Sequence, residues 1–103
     1  MEKTGQKLIV LAAAWILWEH VMVQGGPDRW RSMGSIPSQE ICIRNSQRMA
    51  QEAETWHARN APSGVYLGPK TSNYPGFELI GNTGRQRYIF ECYPSDFDPR
   101  PRG

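Results

Sequence analysis

The chain has 103 residues, the size of one ordinary domain built around a single hydrophobic core. Lys and Arg number 12 against 10 Asp and Glu, and the resulting charge of +2 is too small and too evenly spread to indicate a nucleic-acid surface. A hydrophobic fraction of 39%, with four Trp and four Tyr, excludes a disordered chain.

The first 14 residues are typical of a secretory signal. A polar start containing Lys3 and Lys7 is followed by the apolar run 8–14, and small residues precede a predicted cleavage after Ala14. Apolar sequence continues only to Trp18, well short of the roughly 20 residues that span a bilayer. We therefore expect a periplasmic or extracellular protein. The alternatives are an uncleaved N-terminal anchor, which would bring the protein to a membrane, and a cytosolic protein with a hydrophobic first strand.

Two strands are predicted next. Residues 15–23 are rich in β-branched and aromatic residues, and residues 29–36 are a short second candidate. The turn residues 24–27 separate them, and Pro37 ends the second. Alternation places two sets of first-strand residues on opposite faces. One set is Ile16, Trp18, His20 and Met22, and the other is Leu17, Glu19, Val21 and Val23.

A helix is predicted from Gln39 to about Arg59, because this stretch contains no Gly or Pro and Ser38 can cap its first turn. Apolar and small residues recur at helical spacing and form a stripe that we expect to lie on the sheet. The stripe consists of Cys42, Ser46, Met49, Ala50, Ala53 and Trp56. We interpret its Met and Trp as core residues.

Residues 61–76 are predicted to form a loop, within which 65–67 are a candidate short edge strand. Two further strands, 77–80 and 87–93, flank the hairpin turn 81–84. The fold class is therefore α+β, a small antiparallel sheet of about four strands in the order β-β-α-β-β with one helix packed on it. We expect this domain to cover residues 15–94 and a Pro-rich charged tail to cover 95–103.

Cys42 and Cys92 are the only cysteines, and their spacing fits neither a redox pair nor a zinc site. Cys92 shares a face of the last strand with Tyr88 and Phe90, where the start of the helix can present Cys42 to it. We expect a disulfide, which for a loop of this length contributes about 4 kcal/mol. The alternative is two buried free thiols in a reducing compartment.

Both ends of the chain resemble a loose family of small uncharacterised bacterial secreted proteins. That family has a WVLWEH-like first strand after the signal peptide, as residues 15–20 (WILWEH) do here, and a C-x-P-D-x-x-D-P-R-like ending, which residues 90–100 (FECYPSDFDPR) approximate. Tyr93 and residues 95–97 depart from the usual ending. The resemblance supports export, the disulfide and a bacterial origin, and it implies no activity.

No catalytic or cofactor motif is present, so we expect no enzymatic activity, no cofactor and no metal site, and no small-molecule ligand can be inferred. The adjacent Glu19 and His20 are the sharpest candidates for chemistry, in a small hydrolase. A hydrogen-bonded histidine at the rim of the core is the better interpretation of His20.

The tail offers a candidate recognition arm for a protein partner in the cell envelope. Charged residues alternate there with Phe97, Pro99 and Pro101, and an extended Pro-rich segment loses little entropy on docking. The candidate partner-binding residues are Asp96, Asp98, Arg100 and Arg102. The alternative is a solvated terminus. We expect a non-enzymatic binding protein, an accessory component of an envelope assembly, and the alternative is a membrane-anchored accessory subunit.

Overall fold

The computed structural model of the chain describes residues 14–68, 75–82 and 84–101. The expected signal sequence therefore lies outside the described residues except for Ala14, and so does Arg102 of the tail. The described elements, in chain order, are β1 (Trp15–Val23), β2 (Arg29–Ile36), helix α1 (Gln39–Asn60), β3 (Tyr66–Leu67), β4 (Gly76–Gly81) and β5 (Gly84–Pro94).

The strands form one antiparallel sheet in the order β2-β1-β5-β4-β3. At the centre, β1 pairs with β5 along the whole of its own length, from Trp15 opposite Pro94 to Val23 opposite Gln86. The α+β prediction is confirmed, and the short segment at Tyr66–Leu67 adds a fifth strand at one edge. The first two predicted strands have the observed bounds, and the last two are longer because the hairpin pairs up to Gly81 and Gly84.

β2 carries an irregularity in its pairing with β1. Leu17 lies opposite Gly34 while Trp18 lies opposite Ser32, so Met33 is the extra residue of a β-bulge. Gly34 has a φ of 138°, a conformation that residues with a side chain rarely adopt. The glycine lets Met33 pack against the core while β2 continues along β1.

Helix α1 begins where the sequence predicts. The side chain of Ser38 accepts a hydrogen bond from the backbone N–H of Ile41 (3.3 Å), and Glu40 lies in the first turn at the positive end of the helix dipole. The helix ends at Asn60, whose side-chain amide donates to the Trp56 carbonyl (2.8 Å).

The helix covers one face of the sheet, and the core lies between them. Leu17, Cys42 and Phe90 are the largest fully buried side chains. Cys42 and Cys92 form the predicted disulfide, with their Cα atoms 6.2 Å apart. Leu17 pairs with Cys92 across the two central strands, so the disulfide joins the first turn of the helix to the middle of the sheet.

The prediction that Trp56 is a core residue is wrong. The buried helix residues Cys42, Ser46 and Ala50 place the centre of the buried stripe near Ser46. At about 100° per residue, His57 lies about 20° from that centre and Trp56 about 80°. His57 therefore faces the sheet, and the Trp56 side chain is 58% exposed.

The opposite side of the sheet, called here the outer face, carries the second set of β1 side chains. Neighbouring residues on this face are Trp18, His20, Trp30, Glu91 and Tyr93. No helix within the described ranges combines the length and apolar character needed to cross a membrane.

Candidate functional site

The outer face holds an aromatic cluster of Trp18, His20 and Trp30. The rings of His20 and Trp30 are stacked, with centroids 3.7 Å apart and planes 11° from parallel, and Trp18 meets Trp30 edge-on at 6.3 Å. Asp28, just before β2, lies 2.9 Å from His20 Nε2 and fixes the orientation of the imidazole. His20 is thus a hydrogen-bonded histidine at the rim of the sheet, the interpretation that we favoured from the sequence.

The C-terminal tail folds onto this cluster. The Arg100 guanidinium lies over the Trp18 ring, 5.3 Å from its centroid, in a cation–π contact. Asp98 holds the guanidinium through two hydrogen bonds, from Arg100 Nε at 2.9 Å and from Nη2 at 2.7 Å. This pairing raises the pKa of Arg100.

A second aromatic contact anchors the start of the tail. The rings of Phe97 and Tyr93 are 5.2 Å apart, and the Tyr93 hydroxyl donates to Glu91 at 2.9 Å. Burial, together with this hydrogen bond and the negative charge of Glu91, raises the pKa of Tyr93. Phe97 remains 51% exposed.

Backbone hydrogen bonds set the direction of the tail. The N–H of Ser95 donates to the Ala14 carbonyl (3.1 Å), and the N–H of Phe97 donates to the Pro94 carbonyl in a turn (2.9 Å). Of the four predicted partner-binding residues, Asp98 and Arg100 are brought together, Asp96 is exposed beside them, and Arg102 lies outside the described residues. The alternation of charged and apolar residues in the tail identifies these charges, but it does not predict the contact of Arg100 with Trp18.

The indole N–H groups of Trp18 and Trp30 are buried and lack a hydrogen-bond acceptor in the described part of the chain. An unpaired buried donor costs about 1–3 kcal/mol. Ring packing, not hydrogen bonding, therefore holds these two side chains in the cluster.

Glu19 and His20 do not share a site. Because neighbouring residues of a strand point to opposite faces, Glu19 lies on the helix side and pairs with Arg31 (3.3 Å), while His20 pairs with Asp28. The carboxylate and the imidazole of this predicted pair are thus separated by the sheet.

The predicted helix stripe does not include His57, which packs on the helix side against Tyr88 (5.1 Å) and Phe77 (5.5 Å). Burial lowers its pKa, and the charge of Glu19 partly opposes that shift. Helical spacing could have identified His57 as a residue that faces the sheet, because the stripe through Ser46 and Ala53 continues to His57 as well as to Trp56. Within the described ranges no three His, Cys, Asp or Glu side chains cluster in a way that would hold a metal ion.

No family model matches the chain, and no curated protein or solved structure matches it significantly.

Proposed function

We propose that the chain is a small exported, non-enzymatic protein that acts through a binding surface, as an accessory component of an envelope assembly. Three features support export to the periplasm or beyond. The Cys42–Cys92 disulfide is typical of an oxidising compartment. Residues 1–14 have the order of a secretory signal, and the resemblance at both ends of the chain is to secreted bacterial proteins.

The docked tail is the observation that supports a binding surface. Asp98 and Arg100 pair with each other while Arg100 rests on Trp18, so this part of the tail is ordered before any partner arrives. A segment that is already held in place loses less conformational entropy on binding than a free terminus does. The tail and the outer face therefore present one preorganised surface.

The exposed groups of this surface indicate the chemistry of the partner. Phe97 is about half exposed, and the neighbouring Asp96 lies in the exposed turn. Aromatic side chains are common anchors at protein interfaces, where they fill apolar pockets. We therefore expect a protein partner with an apolar pocket for Phe97 and a basic group beside it for Asp96.

Affinity capture with matched variants tests this proposal. The full chain, oxidised and immobilised, is exposed to the envelope fraction of its native host and compared with Phe97→Ala, Asp96→Asn and Tyr66→Ala. Tyr66 is the control, since its side chain is equally exposed (59%) but lies on the edge strand β3. We expect one protein that wild type and Tyr66→Ala retain, that Phe97→Ala loses, and that Asp96→Asn retains less. Equal capture by Phe97→Ala and wild type would contradict the proposal.

The alternative is a membrane-anchored accessory subunit. It differs from the released protein in whether residues 1–14 are retained. N-terminal sequencing of the native protein distinguishes the two. A chain that begins at Trp15 supports release into the exported compartment, and one that retains residues 1–14 supports an anchor. No contact in the described structure favours the hydrolase, because Glu19 and His20 lie on opposite faces.

A further inference from the structure

A cavity of about 370 Å³ opens on the helix side of the sheet, away from the tail. It lies between the last turn of α1, the end of β1 and the β4–β5 hairpin. Its apolar lining comes mainly from Val23, Val65, Leu79 and the indole of Trp56. Ligand pockets usually enclose about 300–1,000 Å³, so this cavity has the size for a molecule with a single ring.

Two aromatic rings form a corner of the cavity. Trp56 and His57 stand at 87° to each other with their centroids 5.0 Å apart, and both line the cavity. His57 is fixed from below by Tyr88 and Phe77, whereas the Trp56 ring is 58% exposed. A flat apolar ligand placed against Trp56 would remove that indole surface from water.

The polar groups of the lining mostly donate. Gln24 Oε1 accepts from the backbone N–H of Arg85 (2.9 Å), and since a backbone N–H can only donate, the Gln24 NH₂ is left for another partner. Gln86 Oε1 likewise accepts from the Tyr88 hydroxyl (3.3 Å), which leaves a second NH₂. Asn60 is the exception, because its NH₂ is bonded to the Trp56 carbonyl and its oxygen remains.

The charges of the lining residues also bear on which ligand fits the cavity. Among the described lining residues there is no Asp or Glu. Arg85, the one described lining residue with a fixed charge, alternates with Gln86 along β5, so its side chain lies on the opposite face of the sheet with Met22 and Glu78. The imidazole of His57 carries at least one N–H, so this ring adds a donor to the lining. An anion that accepts hydrogen bonds suits these groups, and an ammonium group does not.

We propose that this cavity binds a small carboxylate that carries one aromatic ring. The ring packs on Trp56 and Leu79, and the carboxylate accepts hydrogen bonds from the side-chain amides of Gln24 and Gln86. The site is independent of the tail surface, since the sheet separates the two. Loss of one function therefore does not entail loss of the other.

Phenylacetate is the probe, with phenylacetamide and phenethylamine as matched ligands that change only the polar group. Titration of the full oxidised chain is followed by ¹H–¹⁵N NMR at the Trp56 indole N–H and at the Gln24 and Gln86 side-chain amides. We expect saturable shifts of these signals with phenylacetate, binding about tenfold weaker for the neutral amide because a charge-assisted hydrogen bond is lost, and no saturation with the amine.

Glutamate variants separate a binding role from a structural one. Gln24→Glu and Gln86→Glu keep the accepting oxygen for Arg85 and Tyr88 but replace the donor with a negative charge. We expect each to weaken phenylacetate binding at least about tenfold. Trp56→Ala should weaken it similarly, while Tyr66→Ala, which removes an equally exposed ring elsewhere, leaves it unchanged. Equal binding of amine and carboxylate, unchanged affinity in both glutamate variants, or no saturable shift in the wild type would overturn the proposal.

Discussion

Protonation of His57 is opposed by its surroundings. The ring is packed between Tyr88, Phe77 and Trp56, and burial lowers its pKa below the ordinary value of 6.5. Glu19 on β1 acts in the opposite direction and raises the pKa by a smaller amount, and its carboxylate pairs with Arg31 on β2. The net effect is that the pKa of His57 is lower in the folded chain than its ordinary value.

The His57 environment predicts a pH dependence of stability. The unfolded chain takes up the proton more readily than the folded chain, so the free energy of unfolding should decrease as pH falls from above 6.5 through the lower pKa of the folded state. Urea denaturation between about pH 7.5 and 5.5, a range above most carboxylate titrations, measures this slope. His57→Gln should flatten it. The same slope in both proteins would contradict the assignment.

Arg100 is the residue that ties the tail to the outer face. Arg100→Ala removes the guanidinium from the Trp18 ring, so we expect Trp18 to become more accessible to acrylamide and the tryptophan emission to shift to longer wavelength. Arg48→Ala is the control, since Arg48 lies on the exposed side of α1. Quenching that is identical in Arg100→Ala and wild type would mean that the tail does not rest on Trp18 in solution.

The elements differ in how well the sequence predicts them. The end of β1, both bounds of β2 and the start of α1 follow from local signals, namely turn residues, Pro37 and the Ser38 cap. The helix face that is buried against the sheet is predicted less well. Trp56 and His57 both continue the stripe, and hydrophobicity alone favours Trp56. The helix is rotated toward the smaller, polar residue because the rotation is set by Cys42, Ser46 and Ala50 under the sheet.

The candidate sites were only partly predictable from the sequence, because both depend on how distant parts of the chain come together. The charges of the tail are visible in the sequence. The contact of Arg100 with Trp18 is not, because it depends on β1 lying beside the end of β5 in the sheet. The cavity brings together Gln24, Trp56 and Gln86 from three distant parts of the chain. No local pattern marks such a combination.

The Ser38 cap supplies a prediction for the helix as an element. Ser38→Ala leaves the first N–H groups of α1 without their side-chain acceptor and should lower the free energy of unfolding by about 1 kcal/mol. Ser63→Ala, in the exposed turn after the helix, should change it far less. Urea denaturation of both variants measures the difference, and an equal effect of the two substitutions would show that the cap does not stabilise the helix.

At the scale of the whole molecule, the disulfide links the helix to the sheet. Cys42 is fully buried under the sheet, and its bond to Cys92 closes a loop that spans about half the chain. Small domains have total stabilities of roughly 5–15 kcal/mol, of which a bond closing such a loop accounts for about 4 kcal/mol. The fold and the proposed compartment therefore depend on the same covalent link.

Removing the bond should destabilise the domain as a unit. Cys42→Ala combined with Cys92→Ala is expected to lower the free energy of unfolding by about 4 kcal/mol, measured by urea denaturation with helix and tryptophan signals in parallel. The two signals should change together, because the helix and the central strands share one core. A double variant as stable as the oxidised wild type would show that the fold does not need the bond.

The most direct test is the intact mass of the protein isolated from its native host and alkylated without reductant. We predict a chain that begins at Trp15, is lighter than the reduced form by two hydrogen atoms, and carries no alkyl group until reductant is added. Full-length chains with both Cys42 and Cys92 alkylated would contradict export and the disulfide-tied fold together.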